Sequence, residues 1–163
     1  MGQKMFKKII LAVAALLLFL STAVPHTFAR QTDVIIIAFV SGMAGDPFYI
    51  TVQSGILQGL ADVNVAVEYF TQTPMDADQQ IALIEDLIAR GDVDYLIVAP
   101  LDSQRLLPVL QAAYQAGLQI ITVDTFIGDG DYINGPVKFP LSFIASDNQE
   151  GGRIACEALI KAI

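Results

Sequence analysis

Two adjacent aromatics beside a carboxylate, Asp46-Pro47-Phe48-Tyr49, form the first group in the chain with recognisable chemistry. Two further acids, Asp102 and Asp124, each close a hydrophobic run, and Thr73 offers a hydroxyl ahead of Pro74. An aromatic face covers the apolar C–H face of a sugar ring, and an ionised carboxylate accepts hydrogen bonds from neighbouring hydroxyls. Together they suit a polyol, which needs apolar walls with a few placed polar groups. Each residue also has a plainer role open to it. Phe48 and Tyr49 suit the packing of a helix start, Asp46 and Asp102 the capping of helices, Asp124 a turn and Thr73 a loop. Paired carboxylates near an aromatic also match glycosidase chemistry. Against an enzyme, the only histidine is His26, close to the N-terminus. The sequence has no metal-ligand cluster, phosphate-binding glycine loop or Ser/Cys–His pair. No catalytic residue, metal or cofactor is therefore expected.

The elements that would position these residues alternate. Asp33 to Val40 is a continuous β-branched run, the pattern of a strand buried on both faces of a parallel sheet. Pro47 suits a first helical turn, and a helix from about Phe48 to Asp62 follows. Val65 to Phe70 is a second strand. Asp76-Ala77-Asp78-Gln79 reads as a capping box, opening a helix with Ile81, Ile84, Leu87 and Ile88 on one side and Gly91 at its end. Tyr95 to Ala99 is a third strand, Ser103 to Ala116 a third helix and Gln119 to Val123 a fourth strand. Residues 125–141, with three glycines and two prolines, read as a long irregular excursion. Leu141 to Ala145 is a short fifth strand, and Asp147 or Asn148 caps a last helix running to Ile163. This order predicts an α/β fold, a Rossmann-like parallel sheet with helices on both faces. Ligands of such sheets bind outside the carboxyl ends of the strands, where Asp46, Phe48, Tyr49, Thr73, Asp102 and Asp124 all fall.

The N-terminus has the order of a cleavable signal peptide. Lys4, Lys7 and Lys8 precede an apolar run from Ile9 to Leu20, and Thr27-Phe28-Ala29 offers small residues for cleavage, with Ser21-Thr22-Ala23 an alternative cut. That run of about 12 residues is short of the roughly 20 that span a bilayer. Three of the nine Lys and Arg residues lie in residues 1–29 and none of the 17 acids, so the remainder carries six bases against 17 acids, net −11. Such a balance opposes nucleic acid as a partner and fits an exported protein. Cleavage after Ala29 leaves 134 residues, enough for one domain with a core. The single cysteine, Cys156, precludes an internal disulfide and reads as a small buried hydrophobe on an apolar helical stripe.

These segments, taken in order, resemble the sugar-binding proteins of bacterial ABC transporters in the ribose-binding class, with the type I periplasmic-binding fold. The resemblance lies in Asp46-Pro47-Phe48-Tyr49, Gln79-Gln80-Ile81, the run from Asp92 to Pro100-Leu101-Asp102, Ala116-Gly117 through Val123-Asp124, and Ala145-Ser146-Asp147-Asn148 with Gly151-Gly152. It covers residues 33 to 163. It implies that Phe48 and Tyr49 stack on a sugar, that Asp46 and Asp102 bind hydroxyls with Thr73 assisting, and that Asp124 lies near a crossover between lobes. It implies a periplasmic monomer that hands its solute to an ABC permease in the inner membrane, or to a chemoreceptor or sensor kinase. Position 46 is normally Asn in this pattern, which shifts the expected sugar preference. Two lobes and about twice this length are usual in the family. The expected division is therefore a signal peptide (1–29), an N-terminal lobe (30–124) and the start of a second lobe (125–163), in a truncated product or fragment. The cytoplasmic repressors that share the fold are opposed by the signal peptide, the acidic balance and the lack of a helix-turn-helix before the first strand.

Overall fold

Runs of Ile, Val and Phe with few polar interruptions form strands only where both faces are covered. The computed structural model describes residues 34–63, 67–72 and 74–163, with the side chains of 67–72 left out of that description. The signal-peptide expectation and Thr73 therefore lie outside the described residues. The described residues hold five strands: β1 (Ile35–Val40), β2 (Val67–Gln72), β3 (Tyr95–Val98), β4 (Gln119–Val123) and β5 (Ser142–Ile144). The strands are all parallel, in the order β2-β1-β3-β4-β5. Their register sets Val40 beside both Gln72 and Val98, and Val98 beside Thr122. The carboxyl ends of four strands thus finish along one edge.

Alternation along each strand divides the core between two faces. Ala38, Val40, Leu96, Val98 and Ile120 point to one face, against α2 (Ala77–Arg90) and α3 (Leu107–Gln115). Ile84, Leu87, Leu106 and Leu110 are buried there at no more than 1% exposure, which makes this the main core. Phe39, Ile97, Ile121 and Val123 point to the other face, where α1 (Pro47–Ala61) contributes Tyr49, Val52 and Ile56. This second layer is thin, and α1 has no fully buried residue.

The helix ends follow their local chemistry. Asp46 caps α1, accepting from the Phe48 N–H, and Pro47 occupies the first turn. Asp76 caps α2 through the Gln79 N–H, while the Gln79 side chain reaches back to the Met75 N–H rather than to the cap residue itself. Gly91 ends α2 in the left-handed conformation that a residue with a Cβ adopts at a cost. The expected third helix from Ser103 begins only at Leu107. Residues 101–106 form turns instead, because Asp102 accepts from the Gln104 and Arg105 N–H groups and closes a tight turn there.

The fifth strand joins the same sheet: β5 pairs with β4, and the Asp124 N–H bonds the Ile144 carbonyl at 2.9 Å. The 125–141 excursion is irregular, as expected, yet it is packed. Ile127 and Val137 are buried, and the Tyr132 hydroxyl pairs with Thr122 Oγ1 and accepts from the Ile127 N–H. Helix α4 (Asn148–Ala162), capped by Asp147, has no buried residue, so Cys156 is exposed rather than buried.

The contrast between core and α4 is measurable. Ile84→Ala should cost about 2–5 kcal/mol in urea unfolding. Leu159→Ala, at a position 62% exposed, should change stability by less than about 0.5 kcal/mol.

Candidate functional site

The strand order reverses direction between β1 and β3, whose following connections leave to opposite sides. A crevice forms outside the carboxyl ends at such a switch point. The loop after β1 (residues 41–46) and the loop after β3 (99–106) border it, and Asp124 at the end of β4 lies beyond.

Asp46 and Asp102 use the same device. One oxygen of each accepts from backbone N–H groups: Asp46 Oδ1 from Phe48 at 2.8 Å, and Asp102 Oδ1 from Gln104 and Arg105 at 2.9 Å each. The Oδ2 atoms of both make no hydrogen bond among the described residues. Each carboxylate is thus oriented through one oxygen and offers the other. The two backbone donors, assisted by the nearby Arg105 charge, hold the Asp102 carboxyl below the usual carboxylate range. The capping roles and the candidate binding roles therefore coexist on the same side chains.

The aromatics divide their duties. Phe48 and Tyr49 meet edge to face, with centroids 5.2 Å apart and planes at 83°. Phe48 remains 45% exposed. Tyr49 packs on the thin core layer of Phe39, Ala99 and Val123, and its hydroxyl donates to Asp124 Oδ2 at 2.8 Å. Burial, the bond to Asp124, and the negative charges of Asp124 and Asp46 push the Tyr49 phenol well above its ordinary range. A Cβ at Gly42 would lie 2.2 Å from the Tyr49 ring, so this glycine makes room for the phenol. Asp124 itself is the one described non-glycine residue with positive φ, at 64°. A turn residue was one reading of Asp124, and the structure joins that role to a tether on Tyr49.

Gln80 is the residue that sequence reasoning passed over except as part of a Gln-rich segment. It is fully buried and bonds with both ends of its amide. Nε2 donates to the Ser41 carbonyl at 3.0 Å and the Ala99 carbonyl at 2.8 Å, and Oε1 accepts from the Leu101 N–H at 2.8 Å. The signal was a polar residue within the buried stripe Ala77, Gln80, Ile84, Leu87 of α2. Among the described residues no group of three or more His, Cys, Asp or Glu side chains is placed to hold a metal ion.

Residues 37–163 match the model of the periplasmic binding protein domain. The chain belongs to that family of solute-binding α/β proteins. It is 30% identical over 130 residues to the D-ribose/D-allose-binding protein of Pseudomonas aeruginosa, covering 78% of this chain and 40% of that protein. It is 30% identical over 158 residues to the ribose import binding protein of Salmonella typhimurium, covering 95% of this chain and 47% of that one. The chain thus spans less than half the length of these relatives. Among solved structures, an ABC transporter solute-binding protein of Agrobacterium vitis bound to α-D-tagatopyranose shares 38% identity at a TM-score of 0.69, covering 79% of this chain and 44% of that one. A periplasmic solute-binding protein of Actinobacillus succinogenes with bound D-allose shares 26% identity at a TM-score of 0.66, covering 78% of this chain and 43% of that one.

The Tyr49–Asp124 bond gives a pH signature. The phenol is raised in the folded state, while in the unfolded chain it titrates near pH 10. Its contribution is therefore complete below about pH 10 and is lost as pH rises above that value. Tyr49→Phe should lower stability near neutrality by about 1 kcal/mol and flatten the alkaline loss, as read by denaturant midpoints across pH.

Proposed function

We propose that residues 34–163 form one wall of a cleft that captures a monosaccharide in the periplasm for an ABC permease. The observation that carries this reading is the pairing of an exposed Phe48 face with two oriented carboxylates, Asp46 and Asp102, at the β1/β3 switch point. Phe48 would cover a C–H face of the ring, and Tyr49 would back it. The outward oxygens of Asp46 and Asp102 would accept hydroxyl protons, each as a charge-assisted bond. Asp124 would act through Tyr49, and Thr73 would assist with its hydroxyl. The sugar-binding relatives support this ligand class.

Two finer points belong to the same proposal. Since β5 continues the first sheet, we place the start of the second lobe at α4, whose surface is open along its length. Closure of the cleft by a second lobe is the source of affinity in a hinge mechanism, through stronger contacts in the closed state. Residues 1–29 would direct export and be removed. In the glycosidase alternative, the lowered Asp102 carboxyl would suit an ionised nucleophile or base rather than the general acid.

Calorimetric titration with D-ribose, D-allose, D-xylose and D-tagatose tests the ligand class. At least one should bind, and Phe48→Ala and Asp102→Asn should each weaken it by about tenfold or more with an unchanged circular dichroism spectrum. No heat and no thermal stabilisation with any of the four would count against the sugar reading. The N-terminus of the exported protein, read by mass spectrometry, should be Arg30; an intact Met1 would refute cleavage after Ala29.

A further inference from the structure

The last backbone bond joining β1 to β3 runs from the Ala99 N–H to the Val40 carbonyl at 3.0 Å. Past it the strands part, as they must at a switch point, and the Ser41 and Ala99 carbonyls emerge within protein. A buried carbonyl without a donor costs about 1–3 kcal/mol. Gln80 supplies a donor to each of the two and takes the Leu101 N–H on its own oxygen. The three partners are two acceptors and one donor, so only one orientation of the amide satisfies them. Helix α2 holds Gln80 rigidly, with Ala77 and Ile84 buried on either side of it along the stripe. Ser41 leads directly to Gly42 and the Asp46-Phe48-Tyr49 group, and Leu101 directly precedes Asp102.

We propose that Gln80 is a positioning residue that sets the spacing between the two ligand-bearing loops, and through it the separation of Phe48 from Asp102. This rests on the monosaccharide reading given above. Gln80 touches no part of the proposed ligand surface; it acts through the backbone of both loops. A side chain that fills the same space without the amide breaks all three bonds that tie the two loops to α2, and the loops shift. A Glu at this position keeps the acceptor for Leu101 and offers the two carbonyls at most one O–H donor.

The test combines local amide exchange with sugar affinity on the full chain. In the unaltered protein the Leu101 N–H should be protected as strongly as the strand amides of Leu96 and Val98, although it lies in a loop. Exchange of Leu101 at the rate of an open loop would overturn the proposal without any variant. In Gln80→Met, Leu101 exchange should speed by about tenfold or more relative to the α3 core amides, and in Gln80→Glu it should stay slower than in Gln80→Met. Affinity for D-ribose or D-tagatose should fall by about tenfold in both variants. In Ile84→Val, which lowers stability on the same helix without touching the amide, it should be unchanged. Equal loss of affinity in Ile84→Val and Gln80→Met would show a merely structural role and overturn the proposal. If Gln80→Met does not fold, the Leu101 protection of the unaltered chain and the Gln80→Glu affinity decide it. If the unaltered chain binds neither sugar, the sugar reading falls, and the exchange at Leu101 alone decides whether Gln80 holds the loops.

Discussion

Where two parallel strands separate inside a protein, the backbone beyond their last shared bond needs partners other than the neighbouring strand. At the β1/β3 switch point one buried amide, Gln80, donates to the Ser41 and Ala99 carbonyls and so bridges the two strand ends. The crevice, the loops that border it and the aromatic group on one of them all sit downstream of that solution. A parallel sheet with the order β2-β1-β3-β4-β5 must open somewhere at its carboxyl edge. Here the opening is held by a side chain projecting from the helix beneath it.

The site shows the same economy in its acids. A carboxylate has two oxygens and room for several hydrogen bonds, so capping and binding need not compete. Asp46 spends Oδ1 on the start of α1, and Asp102 spends Oδ1 on the turn before α3. The local structure thereby orients each acid before any ligand arrives, which lowers the ordering cost of binding. Asp124 follows another course. Its carboxylate is committed to Tyr49, and its backbone adopts a left-handed conformation that costs about 1 kcal/mol or more for a non-glycine residue. That strain, the bond to Ile144 and the room left by Gly42 together fix the phenol against the sheet.

The two faces of the sheet are unequal. α2 and α3 seal one face with a core of Leu, Ile and Val, while among the described residues α1 is the helix on the other. α4 lies fully open, with Ile154, Leu159 and Ile160 exposed. The chain spans less than half the length of the sugar-binding relatives it matches.

Much of the fold was legible because it depends on local periodicity. β-branched runs, the α2 stripe, the Asp76 cap and the Gly91 stop each declare themselves within a few residues, and their alternation implies a parallel sheet. The rim position of Asp46, Phe48, Tyr49, Asp102 and Asp124 followed from that topology alone. Other features were hidden because they depend on residues distant in the chain. The pairing of β5 with β4 joins segments separated by the 125–141 excursion, and the exposure of Cys156 follows from the lack of anything packed on α4 among the described residues. The bond between Tyr49 and Asp124 spans 75 positions, and those of Gln80 span 39 and 19. The sequence by itself determined which elements form and which edge of the sheet collects the polar and aromatic residues. Only the tertiary structure decided which of those residues face outward and which are tied to one another, because hydrogen-bond partners inside a core are chosen by proximity in space.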